Sequence, residues 1–229
     1  MKPTLRRSMS VWFAVSSVVT GFGHCVAAIS SETGPTVTIH VRNYARVDQQ
    51  TLAQAELVAS GIFRKAGVEA RWIDMVLPTE NSTIDSSTHS TFTVGDVQLA
   101  ICPDFMAKRF NLPEDAMGLA PGTGPNRGAI YVFDGKVSAL TWSIVAANSR
   151  REVSWFITKG QVLGHAIAHE LGHLLLNQEG HSPLGIMRGE WGYAEMRDAS
   201  RGELLFTPKQ AGVLQIEVRR RDIQLKSQE

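Results

Sequence analysis

The sequence predicts an α+β domain: a twisted, mostly parallel sheet, one long helix carrying the functional side chains, and a C-terminal helix. Three observations carry that expectation. Residues 37–75 read in turn as strand, helix and strand, a crossover unit that makes the two strands parallel. Residues 158–176 open on a capping pattern and continue with a broad apolar stripe. Thr207-Pro208-Lys209-Gln210 then marks a second capped helix start, with proline at the first helical position.

Val37, Ile39 and Val41 alternate with polar residues, as a half-buried strand requires. His40 falls on the polar phase and is expected at the surface. Asp48 suits the N-cap of a helix running to about Ala66, with Leu52, Ala55, Val58, Ile62 and Phe63 as its apolar stripe. Gly67 fits its termination. Val68–Met75 reads as the second strand and Val97–Ile101 as the third. Between them, residues 79–93 are rich in Ser and Thr and read as a surface loop. It holds His89, expected in solvent, and the formal sequon Asn81-Ser82-Thr83. The turn-rich run Gly118–Gly128 leads into Ala129–Phe133, a strand of high β propensity. That glycine-rich run is not a phosphate loop, because no Lys-Ser/Thr follows and no helix begins there. Its plain reading is a loop around an edge strand. Val137 to about Ala147 suits a helix ended by the charged Ser149–Glu152. The main helix begins at Thr158, with Gln161 completing the capping box, and buries Leu163, Ile167, Leu171, Leu174 and Leu175. The last helix ends in Arg219-Arg220-Arg221, read as a solvated end favourable to the helix dipole.

Composition excludes several classes. The 229 residues are 43% hydrophobic and 20% charged, ordinary values for one globular domain. A formal net charge of +1 gives no reason to expect nucleic acid as a partner. At the start, Lys2, Arg6 and Arg7 precede an uncharged run from Ser8 to Gly23 and the small residues around Ala27-Ala28. This reads as a signal peptide, residues 1–28, cleaved near Ala28, because the apolar run is too short and broken to span a bilayer well. Its removal takes formal charge from +1 to −2. Residues 29–229 are then one exported domain, secreted or periplasmic, with no stable membrane insertion. Cys102 would be its single cysteine, expected in the core at a strand end.

The strongest functional signal is His169-Glu170-Leu171-Gly172-His173. Two histidines four residues apart on a helix lie on one face and can reach the same metal ion. The intervening glutamate projects beside that ion, where it can take a proton from a metal-bound water. A catalytic zinc site has three protein ligands and one open position. Glu179 and His181 are the candidates for the third, and His181 is favoured because zinc sites so often use histidine nitrogen. His165, one turn earlier, is expected to be a core or surface histidine.

His-Glu-Leu-Gly-His, a later histidine and then Gly185-Ile186-Met187 resemble the metzincin clan of zinc endopeptidases, in its matrixin or adamalysin-like flavour. The sequence departs from that clan's spacing. Leu176 stands where the clan has its helix-breaking glycine, Glu179 stands at the third histidine, and Gly180-His181 comes two residues late. A helix half a turn longer, with Gly180 making the turn, would bring His181 to the metal. The resemblance implies a metzincin-like fold with an antiparallel edge strand, and one catalytic Zn²⁺ held by His169, His173 and His181. It implies Glu170 as general base, Met187 as the Met-turn residue packing under the histidines, and a peptide or protein substrate. That substrate would lie against an edge strand, here Gly128, Ala129, Ile130 and Tyr131. Tyr193, six residues after Met187, is expected to be structural rather than an oxyanion donor. Two other functions fit the same motif: a non-proteolytic protein that keeps the zinc scaffold, and a zinc hydrolase of a non-peptide amide.

Overall fold

The computed structural model describes residues 34–77, 95–113, 116–121, 128–151, 153–177 and 180–226. The segments read as signal peptide and as Ser/Thr-rich loop, with His89, lie outside them. Strand β1 spans Thr36–Asn43, helix α1 Gln49–Lys65, β2 Glu69–Asp74 and β3 Val97–Cys102. Helix α2 (Asp104–Ala107) continues into a 3-10 turn, followed by β4 (Gly118–Leu119), β5 (Ala129–Phe133) and α3 (Asp134–Arg151). Helix α4 spans Lys159–Leu176, α5 Tyr193–Ser200 and α6 Pro208–Lys226.

The sheet order is β2-β1-β3-β5-β4. The first four strands are parallel and β4 runs antiparallel to β5. The expected mixed sheet is therefore present, but its edge is not the expected segment. Residues 129–133 pair with β3 on one side, while Tyr131 and Val132 pair with β4 on the other. Phe133 N–H also donates to the Met117 carbonyl at 2.8 Å. Of Gly128, Ala129, Ile130 and Tyr131, Tyr131 is thus covered by Gly118–Leu119, which takes the edge position in the strand order. A two-residue strand inside a glycine-rich run has too few positions for alternation to reveal it.

Asp48 caps α1 by accepting from Thr51 N–H at 2.9 Å, and Gly67, at φ +77°, turns the chain into β2. Helix α3 runs through Ser149–Arg151, so the charged segment belongs to its last turn instead of breaking it. Arg150 and Arg151 there suit the negative end of the dipole. His40 is buried, not exposed, with Nε2 3.1 Å from Asp96 Oδ2. Its strand is flanked on both sides, so polar phase in the sequence marked chemistry rather than exposure.

Helix α4 is the centre of the core. Fourteen of its 18 residues are buried, so it has no solvent face, and His165, His169 and Glu170 are as buried as its leucines. Each fully buried leucine contributes roughly 2–3 kcal/mol through apolar burial. Its start is fixed by the full capping box: Gln161 N–H donates to Thr158 Oγ1 at 3.1 Å, and Thr158 N–H to Gln161 Oε1 at 3.0 Å. Among the described residues no helix is long and apolar enough to cross a membrane.

Thr158→Ala removes that cap and is expected to cost about 1 kcal/mol, lowering Tm by roughly 2–4 °C. Thermal unfolding followed by circular dichroism checks this; an unchanged Tm would mean that packing alone sets the start of α4.

Candidate metal centre

Three histidine rings converge at one end of α4. Ligand nitrogens of His169, His173 and His181 all lie within 4.8 Å of one another, and His169 Nε2 and His173 Nε2 are 3.0 Å apart. Two nitrogens on one tetrahedral zinc lie roughly 3.3 Å apart. The α4 pair is therefore already at ligand spacing, and His181, the exposed member, completes the triad. An all-nitrogen set of three, open on one side, is the donor chemistry of a catalytic zinc site.

The ring of His169 is fixed from behind. Its Nδ1–H donates to the Ile186 carbonyl at 2.7 Å, leaving the Nε2 lone pair facing the cluster. Burial holds its pKa down at about 4, against a smaller opposing effect of that carbonyl, so the ring is neutral at pH 7, as a ligand must be. Ile186 belongs to a closed turn. Ser182 N–H donates to the Met187 carbonyl at 2.7 Å, and Ile186 N–H to the Leu205 carbonyl at 2.9 Å. The same turn that receives His169 thus follows directly after His181. Met187 is fully buried beneath α4, where Gly172 allows the approach: a Cβ there would run into Met187 Sδ and Phe206.

The chain reaches His181 by a different route from the one its sequence suggested. Helix α4 stops at Leu176, and Asn177 takes the left-handed conformation, φ 48° and ψ 45°, with its N–H on the His173 carbonyl. Asparagine tolerates this region better than most side chains. The helix thus ends at Asn177 with no extra half-turn, and Gly180 lies in a bend just before His181. Glu179 lies outside the described residues.

Glu170 is 6% exposed, and burial pushes its carboxyl up to about 8. The edge strand lies directly against it: a Cβ on Gly118 would come within 2.5 Å of the Glu170 carboxylate. Both face a cleft of about 1240 Å³ that also holds the three histidines. Met117–Pro121 and Arg188–Trp191 both line it. None of Gly128–Tyr131 lines this cleft, so the edge next to the site is β4.

The remaining candidates fall elsewhere. His165 is buried one turn before the cluster, with Nδ1 2.8 Å from the Gln161 carbonyl, and takes no part in the triad. Cys102 packs with Ala107 and Phe133 in a separate small core. Tyr193 stacks edge-on against Trp155 at 5.0 Å under the Arg151 guanidinium, a structural role. Sequence reasoning gave no site role to Trp191, whose ring meets that of His169 edge-on at 5.3 Å, or to Arg220 and Arg221, read as a solvated helix end, which line the cleft. No local pattern signals any of the three; only the fold brings them to the histidines.

No family model matches the chain, and no curated protein matches it. Solved structures do match, among them archaemetzincin from Methanopyrus kandleri. That likeness is 13% in identity with a TM-score of 0.44, over 84% of this chain and 99% of that one. A likeness this distant says nothing about the chemistry, which is read from the site's own residues.

His181→Ala is expected to lose zinc on dialysis while Glu179→Ala keeps it, measured by metal analysis of purified protein. Full zinc in His181→Ala would remove His181 from the ligand set. In zinc-free protein, pH has a second expected effect. Burial lowers the His165 pKa from 6.5 to about 4. The unfolded chain therefore takes up the proton below pH 6.5 and the folded chain only near 4. Stability present above 6.5 is lost as pH falls through that window, by on the order of 3 kcal/mol. His165→Leu should reduce this loss in urea titrations between pH 7 and 4, leaving the part that His169 contributes.

Proposed function

We propose that the chain is an exported zinc-dependent endopeptidase, with His169, His173 and His181 holding one zinc ion and Glu170 as general base. The observation that carries this reading is the buried carboxylate of Glu170 beside three convergent histidine nitrogens, in a cleft open to substrate. A structural zinc site would be closed by a fourth protein ligand and would have no use for a base. When bound, the zinc supplies Lewis acidity, lowering the pKa of a bound water and polarising the substrate carbonyl.

The chain's own residues do the rest. Glu170 takes a proton from the water as its oxygen attacks the peptide carbonyl carbon, and returns it to the nitrogen as the C–N bond breaks. Burial favours its uncharged form in the metal-free protein, and the carboxylate that accepts the proton would be favoured by a cation held by the three histidines. The Ile186 carbonyl holds His169 in the tautomer that presents Nε2. An extended peptide can pair with Gly118–Leu119, whose second edge is unpaired among the described residues. This replaces Gly128–Tyr131 as the substrate strand. Met187, buried under Gly172, takes the place of the methionine below the histidines in the resembled clan. The basic, apolar and small-residue order of residues 1–28 supports export.

Glu170→Gln is expected to keep its zinc and lose about 10²–10⁴-fold in peptide cleavage, the usual range for a general base. Gly118→Ala should displace the Glu170 carboxylate and cost about tenfold to a hundredfold in kcat with zinc content unchanged. Both are read by cleavage of a quenched-fluorescence peptide library alongside metal analysis. Zinc-loaded wild type that cleaves no peptide would sink the peptidase reading in favour of a binding protein or a hydrolase of another amide.

A further inference from the structure

We propose that the α6 end of the cleft is a carboxylate subsite, formed by Arg220 and Arg221, that selects peptides bearing an acidic group beside the scissile bond. This deepens the peptidase reading and rests on it. Glu217, Arg220 and Arg221 stand at i, i+3 and i+4 on α6, so they share one face of the helix. All three line the cleft that holds His169, Glu170 and His173.

The geometry is that of a built subsite. Arg220 donates Nε–H to Glu217 Oε2 and an Nη2–H to Oε1, both at 2.8 Å, a bidentate pair. Arg221 donates Nε–H to the same Oε1 at 2.9 Å. One carboxylate thus holds two guanidinium groups, and the trio keeps one net positive charge. Arg221 uses only Nε in this contact, which leaves the Nη1/Nη2 side of its planar fork for a second carboxylate. Its side chain is 15% exposed, so it is already immobilised and gives up little rotamer freedom on binding. The Arg188–Trp191 lining lacks this excess, because Arg188 is paired with Glu195 and Glu190 lines the same cleft. Positive charge is therefore concentrated where α6 meets the cleft. The carboxylate could belong to an Asp or Glu side chain or to the peptide's C-terminus, since the fork reads both alike.

The test uses zinc-loaded protein and a positional library of octapeptides, each position Glu or Gln, with free or amidated C-termini. Cleavage is measured with wild type, and binding by fluorescence anisotropy with Glu170→Gln. At one position, Glu should exceed Gln in kcat/KM by about tenfold, as expected for a charge-assisted bidentate contact. Arg220→Gln/Arg221→Gln should bring that ratio to about one. If the double variant loses zinc, the single Arg221→Gln and Arg221→Glu take its place, the latter expected to turn the preference towards Lys at that position. A preference that vanishes on amidation assigns the carboxylate to the C-terminus; one that survives assigns it to a side chain. Cleavage with no Glu preference at any position and none for a free terminus overturns the subsite and leaves the peptidase standing. Arginine-dependent binding of acidic peptides without cleavage by wild type does the reverse. Neither binding nor cleavage overturns both.

Discussion

The hydrogen bond from His169 Nδ1 to the Ile186 carbonyl, 2.7 Å long and buried, is the tie on which the site depends. It joins α4 to the 182–188 turn across a long excursion of chain. It sets which ring nitrogen of His169 faces the other two histidines. It also brings in His181, because the residue that receives the bond and the residue that completes the triad belong to the same closed turn. That turn is anchored in its own right by Ile186 N–H on the Leu205 carbonyl, so the tie is held from both sides.

The constraint behind the tie is burial. Helix α4 runs through the core, and every polar side chain it carries there must find compensation. His169 does so by remaining neutral and donating to a carbonyl, while His165 donates through Nδ1 but keeps its Nε2 buried without a hydrogen-bond partner among the described residues. Glu170 has a raised proton affinity for the same reason. Burial that would be a plain cost elsewhere is here what raises the proton affinity of Glu170 and keeps the His169 ring neutral. The edge strand adds to it: Gly118 lies so close to Glu170 that a single methyl group would displace the carboxylate. Site and sheet are therefore not independent, since the strand that lines the cleft also packs against Glu170.

Much of this was legible in one sequence because it is local. A capping box, an apolar stripe of helical period and two histidines one turn apart need only the chain's own geometry, and Asp48, Gly67, Thr158 and Gln161 act where their positions imply. Local signals failed where the partner was distant. His40 looked exposed because its pairing with Asp96 spans two strands. Gly118–Leu119 is too short to alternate, and its role comes from lying beside both β5 and Glu170. Arg219–Arg221 read as the solvated end of the last helix; Arg219 and Arg220 are exposed, but α6 runs on to Lys226, and nothing in its sequence says that Arg220 and Arg221 line the cleft.

The sequence by itself determined the kind of fold and the kind of chemistry. Periodicity, caps and the spacing of His169, Glu170 and His173 follow from covalent geometry within a few turns of chain. The tertiary structure alone decided how the third histidine arrives, which strand forms the edge and what lines the cleft. Asn177 turns the chain by adopting a left-handed conformation that its identity permits but does not require, and His181 meets the pair only because Ile186 docks on His169. Such contacts join residues far apart in sequence, and their free energy exists only once the core between them has formed.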